Sequence, residues 1–182
     1  MDIIRARQRP YEPGMDQFVL TDALLTGVAD IDNQHRMLFR LANQVVDPAT
    51  LAGGPLVFMQ LLAFLGGYVE YHFAGEELAM RQAAYPGLEK HVLWHGLFCA
   101  EVEDIALQAQ QSGVSEQLVR RVSDAVQSWL TDHICVTDRQ LADFLVDRAA
   151  HDSIHLPAEQ QLRDAGMIPS DFDLSAYSDK KL

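Results

Sequence analysis

Seven side chains of two chemical kinds mark the middle of the chain: the imidazoles of His35, His72, His91, His95 and His133, and the carboxylates of Glu76 and Asp138. Imidazole and carboxylate together are ligands for iron, zinc or manganese, so the set is a candidate metal site if the fold brings it together. His72 and Glu76 are four residues apart, as are His91 and His95. On a helix such a pair leaves one face, with the two side chains about 6 Å apart along the axis. His133 and Asp138 are five residues apart, which is about 500° of ideal helix and leaves them about 140° out of line. For both to serve one centre the helix must be locally widened, so the spacing predicts a π-bulge near residues 133 to 138.

The chain offers four elements to position these groups. Breaks fall at Asp47-Pro48, Gly53-Gly54-Pro55, Tyr85-Pro86-Gly87 and Ser112-Gly113. Between them, apolar residues recur at helical spacing, as Ile31, Leu38, Leu41 and Val45 do in the first segment, from Asp30 to Val46. The second helix is expected from Pro55 to about Arg81 and the third from Pro86 or Gly87 to Gln111. The fourth starts after Ser115, an N-cap, and carries a stripe from Leu118 through Val122, Val126, Trp129, Leu130, Ile134 and Leu141 to Leu145. Short connections between long helices imply antiparallel neighbours. The expected fold is all-α, an up-down-up-down antiparallel four-helix bundle over residues 20–149. An N-terminal arm covers 1–19 and a C-terminal extension 150–182, the latter with one short helix between Pro157 and Gly166. Every bundle helix then carries at least one of the seven candidates.

Composition narrows the partners. The 182 residues hold 14 Lys+Arg against 26 Asp+Glu, a net charge of -12 with no basic block, which argues against nucleic acid and anionic membrane surfaces. The longest apolar run, Leu56 to Val69, is interrupted by Gln60, Gly66 and Gly67 and is too short to span a bilayer. Those two glycines imply close helix packing or a kink. Met1 to Gly14 has no apolar leader segment, and two cysteines, Cys99 and Cys135, make no disulfide framework; both point to a cytoplasmic protein.

Four stretches together resemble a bacterial hemerythrin: Gly27-Val-Ala-Asp-Ile-Asp-Asn-Gln-His35; His72-Phe-Ala-Gly-Glu76-Glu-Leu-Ala-Met80; Tyr85-Pro86 with His91 and His95; and Trp129-Leu-Thr-Asp-His133-Ile with Asp138. The resemblance covers about residues 20 to 147 and fills all seven ligand positions in type and order. It implies two non-haem iron ions bridged by Glu76, Asp138 and an oxo or hydroxo group. His91, His95 and His133 would hold one iron, and His35 and His72 the other, leaving an open position for dioxygen. It also implies an apolar pocket lined by Phe73, Phe98, Trp129, Leu130 and Ile134, positions that ordinary bundle core would fill equally well. Two departures stand out: a tryptophan often found before the Gly27 turn is replaced by Leu20 or a neighbour, and Leu141 stands where some members carry tyrosine.

The expected function is reversible dioxygen binding for storage, transport or sensing, with no enzymatic turnover. One alternative is a redox or oxygen sensor that signals through the tail to an unidentified protein partner. Another is a di-iron oxidase or peroxidase, although that class uses Glu-x-x-His pairs and none occurs here. Zinc would also fit this ligand set. Asp32 either orients His35 or is a first-turn acid favoured by the helix dipole. Cys99 continues the His91 and His95 face and reads first as a small buried hydrophobe, while Cys135 should point away from the cluster. In the tail, His151, His155 and Glu159 are spaced by four, but Pro157 interrupts the helix a second metal site would need.

Overall fold

Pro55 occupies the first turn of the longest helix, where a missing N–H leaves no helical bond unmade. Ser115 caps another, its Oγ accepting the Leu118 N–H at 3.2 Å. Both follow the sequence reading. The computed structural model describes residues 18–47, 52–148 and 155–177. Its helices are α1 (Ala29–Val46), α2 (Pro55–Gln82), α3 (Leu88–Ser112), α4 (Glu116–Ser128), α5 (Arg139–Arg148) and α6 (Glu159–Asp164). A π-helical stretch, Trp129–Asp138, joins α4 to α5 without leaving helical backbone, so the three form the fourth rod of an antiparallel bundle. Short 3-10 turns lie at Asp22–Leu24 and Leu174–Tyr177. The arm expected over 1–19 falls almost wholly outside the described residues, as does His151.

The helices close a ring: α1 packs on α2 and α4, α2 on α3, and α3 on α4. Leu38, Leu41 and Val45 of α1, Phe58, Leu62 and Leu65 of α2, Ile105 of α3, and Val122 and Val126 of α4 fill its interior. By length and composition α2 is apolar enough to cross a bilayer, which the interrupted run at Leu56 to Val69 did not promise. Its buried residues here face the bundle, and they include His72 and Glu76. The helix runs unbroken through Gly66, so no kink forms there, and a Cβ would meet Val102 Cγ1 of α3 at 3.8 Å, an ordinary contact that does not require a glycine.

Two local corrections concern caps. Asp32 does not orient His35: its Oδ1 accepts from Thr26 N at 2.7 Å and Thr26 Oγ1 at 2.8 Å, and its Oδ2 from Gly27 N at 3.1 Å. It thereby ties down the turn entering α1, where Gly27 sits at φ +86°. The tail helix begins at Glu159, after Ala158, so Pro157 precedes the cap instead of opening the helix. Gly166 follows its end at φ +67°. Leu162 and Ile168 of this tail are buried in the same core as the bundle.

Candidate metal centre

All seven side chains converge. His35 comes from α1, His72 and Glu76 from α2, His91 and His95 from α3, and His133 and Asp138 from the π-helical stretch, each at most 3% exposed. Their ligating atoms form two groups, Glu76 with His91, His95 and His133, and His35, His72 and Asp138 with Glu76 again. The wider i→i+5 winding places residues five apart almost in line, so His133 and Asp138 reach the same centre. It starts four residues earlier than the expected bulge and covers Trp129–Asp138 entire.

Asp138 has one oxygen for each group: Oδ1 lies 3.0 Å from His133 Nε2 and 3.3 Å from His91 Nε2, and Oδ2 lies 3.2 Å from His35 Nε2. Glu76 Oε2 is 3.3 Å from His91 Nε2, 3.4 Å from His95 Nε2 and 3.8 Å from His72 Nε2. A first-row metal with bonds of about 2.1 Å holds adjacent ligands about 3.0–3.4 Å apart, which is the spacing found for every one of these contacts except Glu76 to His72. Several of these contacts fail as hydrogen bonds on angle. His35 Nε2, His72 Nε2, Glu76 Oε1 and both Asp138 oxygens are buried and make none. Buried polar atoms left in this way are costly unless something else binds them, and a cation between them fits every one.

The charges fit as well. Burial opposes ionisation of Glu76 and Asp138, but the imidazoles around them, His72 for Glu76 and His133 for Asp138 foremost, hold both carboxyls well below the usual range. Burial pushes His72 down to about 3, so its ring is neutral. His91 goes the other way: burial lowers it, but Asp138 and Glu76 outweigh burial and raise it to about 9. Two further residues complete the site and escaped the sequence reading. Gln34 Oε1 meets His72 Nδ1 at 2.8 Å, and Glu77 Oε1 meets His95 Nδ1 at 3.1 Å. Each accepts a hydrogen bond from the Nδ1–H, which places the ring proton there and leaves the Nε2 lone pair free for a metal. Both directly follow or precede a ligand in sequence, and that adjacency is the only signal they carry.

The five apolar candidates are all buried. Phe73 stacks on His95 at 3.7 Å between centroids, and Trp129 stacks on His133 at 5.6 Å and meets His72 edge-on at 6.1 Å. Phe98 lies 5.0 Å from Trp129. Leu130 and Ile134 belong to the same core cluster without a ring contact to the imidazoles. Leu141 is buried against Met80 and Leu145, and Leu20 is half-buried against the core. Cys99 is half-buried, its thiol pushed up to about 11 by burial and by Glu70, and it belongs to neither ligand group. Cys135 turns back toward the Leu130 carbonyl of its own helix. His155 pairs with Asp30 at 3.1 Å, and among the described residues no third ligand group forms.

A helical bundle that buries five imidazoles and two carboxylates in two groups sharing a glutamate is a metal-binding protein laid out for a binuclear site. Residues 26–145 match the hemerythrin HHE cation binding domain, and the chain belongs to that family. It is 29% identical over 129 residues to the bacteriohemerythrin of Clostridium acetobutylicum, covering 69% of this chain and 99% of that one. The bacteriohemerythrin of Pseudomonas aeruginosa is 29% identical over 129 residues, covering 71% and 82%. That of Methylococcus capsulatus is 29% identical over 117 residues, covering 63% and 85%. No solved structure gives a significant match.

Proposed function

We propose that the chain binds dioxygen reversibly at a non-haem di-iron centre, for storage, transport or sensing, without catalytic turnover. The observation that carries the reading is the division of the ligands, three imidazoles in one group against two in the other, with Glu76 common to both. His91, His95 and His133 would saturate one iron, whereas His35 and His72 leave the second with room for a small ligand. When bound, the iron pair supplies the two electrons that dioxygen takes up and returns.

The residues of the chain supply the rest. Asp138 offers one oxygen to each side and Glu76 reaches both, so the two positions are held at a fixed separation. Gln34 and Glu77 orient His72 and His95 through Nδ1. Phe73 and Trp129 cover imidazole faces with apolar surface and Phe98 packs behind them, which excludes the water and protons that would make oxygen uptake irreversible. Five imidazoles are neutral ligands, and only two carboxylates stabilise high oxidation states, which favours a carrier over an oxidising catalyst.

Metal analysis with anaerobic optical titration tests the proposal. Two irons per chain and a charge-transfer band that appears with air and disappears on deoxygenation are expected. A single zinc, no metal, or sustained release of hydrogen peroxide with substrate oxidation would overturn it.

A further inference from the structure

The outward face of α1 carries Asn33 and Arg36, and that of α4 carries Gln117, Arg120, Asp124 and Gln127, whereas α3 turns apolar residues to solvent. Leu93, Trp94, Leu97 and Leu107 are 62%, 46%, 55% and 53% exposed. Leu93, Leu97, Ala100, Asp104 and Leu107 follow one another at steps of three and four. They therefore form one stripe, opposite the buried face that holds His91 and His95, with Trp94 on its flank. Asp104, the acid on that line, already has a counter-ion: its Oδ2 lies 2.6 Å from Arg121 Nη2 of α4.

The described parts of the chain outside the bundle lie away from this stripe. Phe18 N donates to Asn43 Oδ1 at 2.7 Å and Asn43 Nδ2 to the Phe18 carbonyl at 2.9 Å, so the segment before α1 is tied to α1, the rod diagonal to α3. The tail packs on α2 through α6 and is buried beside Val28 and Ile31 through Leu156. The stripe is instead complementary to itself. Leu93 and Leu107 each stand seven residues from Ala100, about 700° of helix, which returns both to the face that Ala100 occupies. Gly96 and Asp104 each stand four residues from it.

We propose that the outward face of α3 is the interface of a homodimer, in which two copies of this chain pair their α3 helices antiparallel about a two-fold axis at Ala100. That axis sets Leu93 of each copy against Leu107 of the other. It sets each Asp104 against a bare Gly96, an exposed glycine with nothing within 4 Å of the Cβ it lacks. The small Ala100 at the crossing lets the helix axes approach to about 8 Å. The four exposed side chains leave about 400 Å² of apolar surface in water per copy, the size of patch that marks an interaction site. Two copies bury about 800 Å² from these side chains, and the residues flanking them bring the total to about 1,000–1,200 Å², the low end for a specific dimer. A dissociation constant of about micromolar order follows from that area.

Sedimentation velocity of the full chain over a concentration series, with circular dichroism to confirm the fold, tests the dimer. The wild type should pass from monomer to dimer as concentration rises. Leu93→Glu and Leu107→Lys, both at exposed positions, should each weaken association about 100-fold, because each buries two unpaired charges against leucine. Both changes in one chain set Glu against Lys twice across the interface and should recover about tenfold of the loss. The two positions are 14 residues apart on one helix, about 21 Å, so no contact within a chain produces that recovery. Gln117→Glu on α4 should associate as the wild type does. A wild type that stays monomeric up to about 1 mM overturns the proposal. So does a dimer that both single variants leave intact, which places the interface elsewhere, or a double variant with no recovery, which breaks the antiparallel register. Association that appears only after residues 1–17 are removed assigns the stripe to that arm and overturns it as well.

Discussion

Glu77 and Gln34 do the same geometric work with different charge. Glu77 is ionised: burial raises its carboxyl, but the bond from His95 and the Arg81 guanidinium outweigh that and hold it low. An anionic acceptor draws the Nδ1 proton more strongly than an amide oxygen, which makes His95 the more basic donor at Nε2. Glu77→Gln keeps an oxygen in place and removes the charge. Metal retention against a chelator should fall about tenfold on the three-histidine side, with the fold intact by circular dichroism. Retention equal to wild type would show that only the position of the acceptor matters. The seven candidate ligands were legible because metal chemistry restricts their type and a helix restricts their spacing. Gln34 and Glu77 were not legible, since what singles them out is the imidazole across the helix seam, and one strand of sequence does not say which residue of α1 faces which of α2.

At the scale of elements the fourth rod is the informative one. The cap residue Ser115 placed its start and periodicity its apolar stripe, and the five-residue gap between His133 and Asp138 required a widened turn. The length of the π-helical stretch was not legible, because i→i+5 bonding spreads along the backbone to wherever packing tolerates it, and no side chain signals that. The same holds for the tail: one short helix could be placed between Pro157 and Gly166, but not the burial of Leu162 and Ile168, which depends on the surface that α2 presents. If the widened turn exists to reconcile a gap of five with one face, removing one residue from the gap should remove the need for it. Val136 is exposed and suits the deletion. Its deletion leaves His133 and the aspartate four residues apart, a spacing that a regular α-helix keeps on one side. The variant should retain most of its metal. Deleting the exposed Asp124 instead, inside regular α4, rotates the whole ligand-bearing stretch by about 100° against the core stripe, and that variant should lose metal and fold together. Metal content and circular dichroism of the two deletions decide it; equal damage from both would mean that the π winding is required for some other reason.

For the whole molecule, the buried centre sets how stability responds to pH when metal is removed. His91, raised from 6.5 to about 9, contributes stability fully below its unfolded value and loses it as pH rises through the folded one. His72, lowered to about 3 chiefly by burial, acts in the opposite direction: below pH 6.5 the unfolded ring takes up a proton that the folded ring refuses, so the fold loses stability as pH falls. Glu76 and Asp138, both held low, add stability that is present above the ordinary carboxylate range and lost as pH falls through their folded values. The metal-free chain is therefore squeezed from both sides, with its optimum near neutrality. A metal on His91 displaces the proton and removes the alkaline loss. The chelated chain should lose about 2 kcal/mol between pH 7 and 9, or about 5 °C in Tm, whereas the loaded chain should lose none of it. Loading near pH 7.5 should release protons to an indicator dye, and His91's share of that release should fall to about half at pH 9 and vanish above it, as the ring becomes neutral in the metal-free chain. Thermal unfolding at a series of pH values, with and without chelator, checks the first part, and stopped loading in weak buffer checks the second. A chelated chain whose Tm stays level from pH 7 to 9 would mean that Asp138 and Glu76 do not keep His91 protonated, and that the two carboxylates are already satisfied without a cation between them.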